Sequence, residues 1–370
     1  MGRNMSKQCK RVLQIIRTMN IGGAETLIMN IYRNIDRNQI QFDFLVNGEG
    51  KYDDEIRQLG GRIYLIPYLT EVGQFKYVKE LKDFFKEHPE YTTIHSHIDQ
   101  VSGIIVETAK KSRVPVVISH SHNTQNSNNI LGKIYKSYLQ SKINKNTDIK
   151  LACGEEAAKW LYKNEASDAI IIKNGIDTEK FFFSYENREK IRSELNISDE
   201  TVVIGHVGRF SKQKNHKFLI DIFYEYQKVN SDSRLVLVGD GELRKEIEEQ
   251  IGKLGLAEKV ILLGIRKDVN EIYSAFDFFV FPSFHEGLSL VSIEAQSSGL
   301  KILASDTIDH DCNITGNVTF MGLEQSANVW AEHICKTPLE DRSEVKERIV
   351  NSGYDIKNTV NKIEKIYLEN

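Results

Sequence analysis

The chain has 370 residues, 40% of them hydrophobic and 27% charged, with a formal net charge of -3; that length exceeds what one hydrophobic core supports, so two domains are expected. Four cysteines, Cys9, Cys153, Cys312 and Cys335, stand apart from one another without metal-type spacing, which argues for a reducing compartment and against a zinc motif. No signal peptide and no continuous apolar span is present, so a cytoplasmic protein is expected, and nothing resembles a nucleic-acid-binding motif.

The charge is uneven. Residues 1–173 carry 25 Lys and Arg against 19 Asp and Glu, whereas residues 174–370 carry 24 against 33. A mildly basic first half suits an anionic partner, such as a phosphorylated acceptor or the inner face of a membrane touched peripherally.

In chain order, a buried strand is expected at Val12 to Ile16, then a loop with Gly22 and Gly23, then a helix whose apolar face is Leu27, Ile28, Ile31, Tyr32 and Ile35. Glycines between a strand and a helix let a ligand approach the backbone closely. Strands at Phe42–Val46, Arg62–Ile66, Thr92–His95 and Val114–Ser119 alternate with helices from Asp53, over Phe75–Lys86 and over Val101–Lys111. Such alternation predicts right-handed βαβ units in a parallel sheet, with ligands at the C-terminal strand ends. Two of those ends carry His95, His97, His120 and His122, a candidate polar floor. Metal binding is disfavoured at this stage, because no carboxylate pattern accompanies the imidazoles and alternate strand residues face opposite ways. Residues Ile130 to Ile143 then form an amphipathic pattern with basic Lys133, Lys136 and Lys142, which suits either an anionic leaflet or a helix covering the sheet. Strands at Ile149–Ala152 and Ala169–Ile172 close the first domain.

A turn at Lys173–Asp177 and a polar helix, Arg188–Leu195, lead into a second series. The strand Val202–Val207 precedes Gly208, Arg209 and Lys214, where a forked guanidinium and a mobile ammonium beside a strand-to-helix turn suit a diphosphate. Leu235–Val238 runs into Gly239-Asp240-Gly241, the start of a dinucleotide fingerprint that fails because its third glycine position is Arg244. Val260–Leu263 leads to Ile265 and Arg266. The stretch Asp277–Asp306 organises this half: a strand at Phe278–Phe281, a loop with Glu286, a helix from about Leu290 to Ser298 capped by Ser289, and a strand at Lys301–Ala304. Glu294, in the second helical turn, is expected to stay ionised and accept hydrogen bonds from sugar hydroxyls. Weaker strands at Ile308 and Val318–Phe320 and helices from Ala327, Ser343 and Ile356 complete the chain.

The run Pro282-Ser283, Glu286-Gly287, Glu294-Ala295 and Gly299 resembles the E-x7-E signature of the retaining glycosyltransferases of family 4, in particular the polysaccharide-building branch. Gly22-Gly23-Ala24-Glu25 and Asn174-Gly175-Ile176-Asp177 are similar to further elements of that family. The resemblance implies an α/β protein of GT-B type, with two Rossmann-like domains whose parallel sheets face a deep interdomain cleft. The expected bounds are 1–173, 174–352 and a helix at 353–370 crossing back to the first domain. It also implies a metal-independent, cofactor-free hexosyltransferase acting on a UDP-linked sugar and a glycan or lipid-diphosphate acceptor. The donor would meet Gly22, Gly23, Gly208, Arg209, Lys214, Ile265, Arg266, Glu286, Gly287, Leu288, Ser289, Leu290 and Glu294, with Glu286 and either His122 or His120 serving the sugar. A sugar-nucleotide epimerase and a non-catalytic sugar binder remain as alternatives, and the Arg244 position counts against a dehydrogenase.

Overall fold

The computed structural model describes residues 9–123, 130–286, 289–339, 342 and 345–370. The chain divides into two compact units, Met1–Gly175 together with Ile356–Asn370, and Ile176–Asp355.

In the first unit the strands are β1 (Lys10–Ile15), β2 (Ile40–Val46), β3 (Ile63–Leu65), β4 (Thr93–Ser96), β5 (Val116–Ser121), β6 (Ile149–Ala152) and β7 (Ile170–Ile171). They pair in parallel in the order β3-β2-β1-β4-β5-β6-β7. Helices cover both faces, so β2 is buried along its whole length, as a sheet covered on both sides requires. The last helix, Ile356–Glu369, belongs to this unit: Ile356, Val360, Ile363, Ile366 and Tyr367 share one core with Leu27, Ile28 and Ile31 of the first helix, Gly23–Asn34.

The second unit contains β8 (Val202–Val207), β9 (Ser233–Val238), β10 (Val260–Gly264), β11 (Phe278–Phe281), β12 (Lys301–Ser305) and β13 (Val318–Met321). All are parallel, in the order β10-β9-β8-β11-β12-β13. This is the strand order of a doubly wound nucleotide-binding sheet, which reverses its winding between β8 and β11 and opens its crevice there. The first sheet reverses in the same way between β1 and β4.

Several expectations are adjusted. Ile308 forms a single bridge to Glu286 and no strand. The helix expected from Phe75 starts at Leu69, with a break at Gly73 (φ 77°). Ser343, where another was expected to start, lies outside the described residues, and a helix is present at Lys346–Asn351. Three short helices escape the periodicity reading, Glu155–Tyr162, Thr178–Phe181 and Val269–Ala275, because so few turns carry little repeat. The basic helix Ile130–Asn146 covers the sheet: Leu139 and Ile143 are buried, and Lys142 pairs with Glu107 at 2.5 Å.

No described helix is long and apolar enough to cross a membrane.

Candidate active site

The loops that follow β8 and β11 carry the charged groups of the second unit, one on each side of the switch point. After β8 the backbone turns through Gly208 and Arg209 and makes a short 3-10 turn, Lys212–Lys214, closed by Asn215 in the left-handed region (φ 53°). Three hydrogen bonds tie this turn to the loop after β11. Asn215 Nδ2 donates to Pro282 O at 3.1 Å, Gln213 Nε2 to His285 O at 2.9 Å, and the Phe284 amide to Gln213 O at 2.9 Å. The cationic turn and the acidic loop are therefore one assembly.

Within it, Lys214 Nζ lies 2.8 Å from Glu286 Oε1, both side chains nearly buried, and 5.0 Å from the centroid of the Phe281 ring. The pair is close but its angles fall short of a hydrogen bond, leaving that carboxylate oxygen without an aligned donor. Arg209 is exposed and has no carboxylate partner among the described residues. Gly287 and Leu288 lie outside the described residues. Ser289 caps the helix Leu290–Ser297, its hydroxyl accepting from the Ser292 amide at 3.4 Å.

Glu294 projects from the second turn of that helix and accepts a hydrogen bond from Tyr273 Oη at 2.9 Å. The residue keeps a little surface, yet protein atoms crowd its carboxyl, and burial pushes the pKa up to about 7 against the opposing pull of Tyr273 and Lys214. Glu294 is thus held less firmly ionised than expected, because burial outweighs the hydrogen bond from Tyr273 and the charge of Lys214.

The Gly239-Asp240-Gly241 motif has a packing purpose. A Cβ on Gly239 (φ 133°) would stand 2.0 Å from Gly208 O, and one on Gly241 would stand 2.5 Å from Phe210 O. These glycines let the loop after β9 lie against the Gly208–Phe210 loop, which they support from behind. Ile265 is 79% exposed and offers an apolar patch beyond β10. Arg266 is otherwise engaged, its guanidinium paired with Glu194 at 2.7 Å and Asp268 at 2.5 Å.

In the first unit, Gly22 is the N-cap of Gly23–Asn34 and both glycines border solvent. At the ends of β4 and β5 the four histidines meet. Ring centroids are 4.1 Å apart for His95 and His97 and for His120 and His122, and 5.3 Å for His95 and His120. Strand alternation does not separate these imidazoles as expected: His95 and His97 are two residues apart, as are His120 and His122, and such pairs point the same way. Parallel pairing of His95 with Ile118 then sets the two pairs side by side. His97 Nε2 meets Gln14 Oε1 at 2.9 Å and His97 Nδ1 meets His122 Nε2 at 2.9 Å. His95 Nδ1 meets Tyr367 Oη at 2.6 Å. Burial lowers the pKa of all four, that of His122 to about 4, so the imidazoles are neutral.

Sequence reasoning missed Tyr273, Gln14 and Tyr367. None has a local signal, since each reaches its partner through packing.

Two Rossmann-like sheets, one bearing cationic and acidic loops around its switch point, define the class of two-domain transferases of activated sugars. Residues 187–353 match the family described as glycosyl transferases group 1, and residues 21–180 match glycosyltransferase family 4. The chain belongs to this glycosyltransferase family. It is 34% identical to EpsF of Bacillus subtilis, named as a glycosyltransferase, over 98% of this chain and 97% of that one. It is 24% identical to a UDP-Gal:alpha-D-GlcNAc-diphosphoundecaprenol alpha-1,3-galactosyltransferase of Escherichia coli over 94% of each. CapH of Staphylococcus aureus, a capsular polysaccharide biosynthesis glycosyltransferase, is 25% identical over 97% of this chain and 98% of its own. Among solved structures, HepE of Anabaena in complex with UDP shares the fold, with a TM-score of 0.78 and 19% identity over 97% of this chain and all of that one.

Proposed function

We propose that this chain moves a hexosyl or N-acetylhexosaminyl group from a UDP-linked donor to a hydroxyl of a glycan or lipid-diphosphate acceptor in polysaccharide synthesis, with retention of configuration. The observation that carries the reading is the joined assembly of Arg209, Lys214, Glu286 and Glu294 at one switch point. The named relatives support the donor and acceptor classes: one uses UDP-Gal and a diphosphoundecaprenol acceptor, and HepE holds UDP.

Transfer must break the bond between the anomeric carbon and the diphosphate, placing positive charge on the sugar and negative charge on the leaving group. Arg209 and the N-terminus of Leu290–Ser297 would bind the diphosphate. Lys214 would turn to it from Glu286, freeing that carboxylate to hold sugar hydroxyls. Preorganised charge of this kind contributes most in enzymes. Glu294 would take the ribose hydroxyls. Departure and attack on one face of the sugar is the course that the resemblance to retaining enzymes implies. The sugar-side histidine is assigned to His122, since His120 is only 1% exposed whereas His122 keeps partial exposure. No divalent ion takes part at the diphosphate in this scheme.

A panel of UDP- and GDP-sugars, offered with a lipid-diphosphate acceptor, tests the proposal through nucleotide release and product linkage. Transfer from a UDP-sugar, with the α-configuration kept and no gain from added Mg2+ or Mn2+, is expected. Inverted product or strict dependence on either ion would overturn the mechanism.

A further inference from the structure

The histidine cluster of the first unit contains more unsatisfied nitrogen than a sugar contact explains. Four buried ring nitrogens lack any partner among the described residues: His95 Nε2, both nitrogens of His120, and His122 Nδ1. His95, His97 and His120 are almost completely buried. A neutral imidazole always carries one N–H and one lone pair, and leaving such a group unpaired in the interior costs about 1–3 kcal/mol. His120 leaves both a donor and an acceptor unpaired, as His216 of the second unit also does; what sets His120 apart is that it stands among three further imidazoles.

The arrangement matches what a soft-to-borderline cation requires. One ring nitrogen from each of His95, His97 and His120 can be chosen so that all lie within 4.8 Å of one another, a spread that small ring movements bring to ligand separation around an ion held at about 2.0–2.1 Å. Metal-bound imidazoles present a bare lone pair and donate their other N–H to a fixed acceptor. Gln14 Oε1, 2.9 Å from His97 Nε2, is such an acceptor, and Tyr367 Oη, 2.6 Å from His95 Nδ1, takes the same role in the tautomer with His95 Nδ1 protonated. Gln14 Nε2 in turn donates to Tyr367 Oη at 3.1 Å, holding the two acceptors together. With those protons outward, His97 presents Nδ1 and His95 presents Nε2. His122 now donates Nε2–H to His97 Nδ1; moving that proton to its own Nδ1 would free Nε2 as a fourth ligand.

We propose that His95, His97 and His120, with His122 able to join them, form a binding site for one divalent cation of the zinc type. An all-imidazole set disfavours Mg2+ and Ca2+, which take oxygen ligands, and suits Zn2+ or its spectroscopic substitute Co2+. Its place is structural, tying β4, β5 and, through Tyr367, the end of the last helix. The diphosphate groups belong to the second unit, so the three-histidine site does not depend on them, and only His122 is shared with the proposed sugar contact.

The test uses the full chain, stripped by chelator and titrated with Co2+ and Zn2+. Visible d–d absorption saturating at one cobalt per chain, lost on adding Zn2+, and a Zn2+-dependent rise in Tm are expected. Gln14→Leu, which removes the outer acceptor of His97 and the donor to Tyr367 but no ligand, should weaken binding roughly 10- to 100-fold, and His95→Phe should abolish the cobalt band. Absence of both cobalt absorption and a Zn2+ effect on Tm in the unmodified chain overturns the proposal, and needs no variant to fold. Equal cobalt affinity in the Gln14→Leu and His95→Phe variants would place the ion elsewhere and overturn it as well.

Discussion

Glu294 is the residue whose protonation decides the chemistry of the second unit. Burial pushes its carboxyl up to about 7, and the Tyr273 hydroxyl is the main influence opposing that rise. The ionised carboxylate accepts from two ribose hydroxyls more strongly than the protonated form, so donor affinity should rise with pH through about 7. Replacing Tyr273 by Phe removes the opposing hydrogen bond, and the rise should move to higher pH. Affinity for UDP measured calorimetrically from pH 5.5 to 8.5 checks this; an unshifted curve in Tyr273→Phe would remove Tyr273 from the account. For folding the sign is reversed. The folded carboxyl holds its proton above the unfolded value, so Glu294 costs stability as pH rises from about 4.5 through 7, and Glu294→Gln should flatten that decline.

Lys214 and Glu286 make a second residue-scale case. Their ion pair satisfies both charges while no donor is bound, and the proposed reaction requires it to open. Lys214→Ala should lower kcat/KM by roughly 10²–10³-fold, the range found when one preorganised charge-stabilising group is removed. Glu286→Gln should spare UDP binding while impairing transfer. Loss of UDP binding in Glu286→Gln would show that the carboxylate serves the nucleotide instead.

At the scale of elements, the loops after β8 and β9 support each other through glycine. Gly239→Ala would set a Cβ against Gly208 O on a backbone with φ 133°, a conformation that costs about 1–3 kcal/mol without glycine. The variant should lower Tm and weaken UDP binding together, because the displaced Gly208–Phe210 loop carries Arg209. Thermal melts with and without UDP measure both effects. Unchanged UDP affinity would show that the loop holds its place by other contacts. The glutamate spacing was legible because Glu286 and Glu294 lie on one loop and the helix it enters, and Ser289 announces that helix by its own chemistry. Tyr273 was illegible, since it sits 21 positions upstream on a short helix that carries no periodic signal. The Gly239 motif was legible as a failed fingerprint, but its packing against Gly208 depends on β8 and β9 being neighbours.

For the whole molecule, the contribution of the last helix to the first unit is large. Ile356, Val360, Ile363, Ile366 and Tyr367 are all buried there, and each such side chain contributes about 1.5–3 kcal/mol, so together they rival the stability of an entire domain. Deleting 356–370 should leave the first unit unable to unfold cooperatively, which differential scanning calorimetry would register as a lost transition. A retained transition would show that the unit closes its core without that helix.

What the linear chain determined by itself was everything carried by local order: alternating strand and helix periods, the turn glycines, the cap at Ser289 and the spacing of Glu286 and Glu294. These depend on contacts between near neighbours, which amino-acid type and spacing specify directly. The tertiary structure alone decided that four histidines from two strands share one face, that Gln14 and Tyr367 back them, and that burial brings Glu294 to the edge of neutrality. Each of those outcomes arises from which strands pair and how much water is excluded, and both are set by packing between residues far apart in the chain.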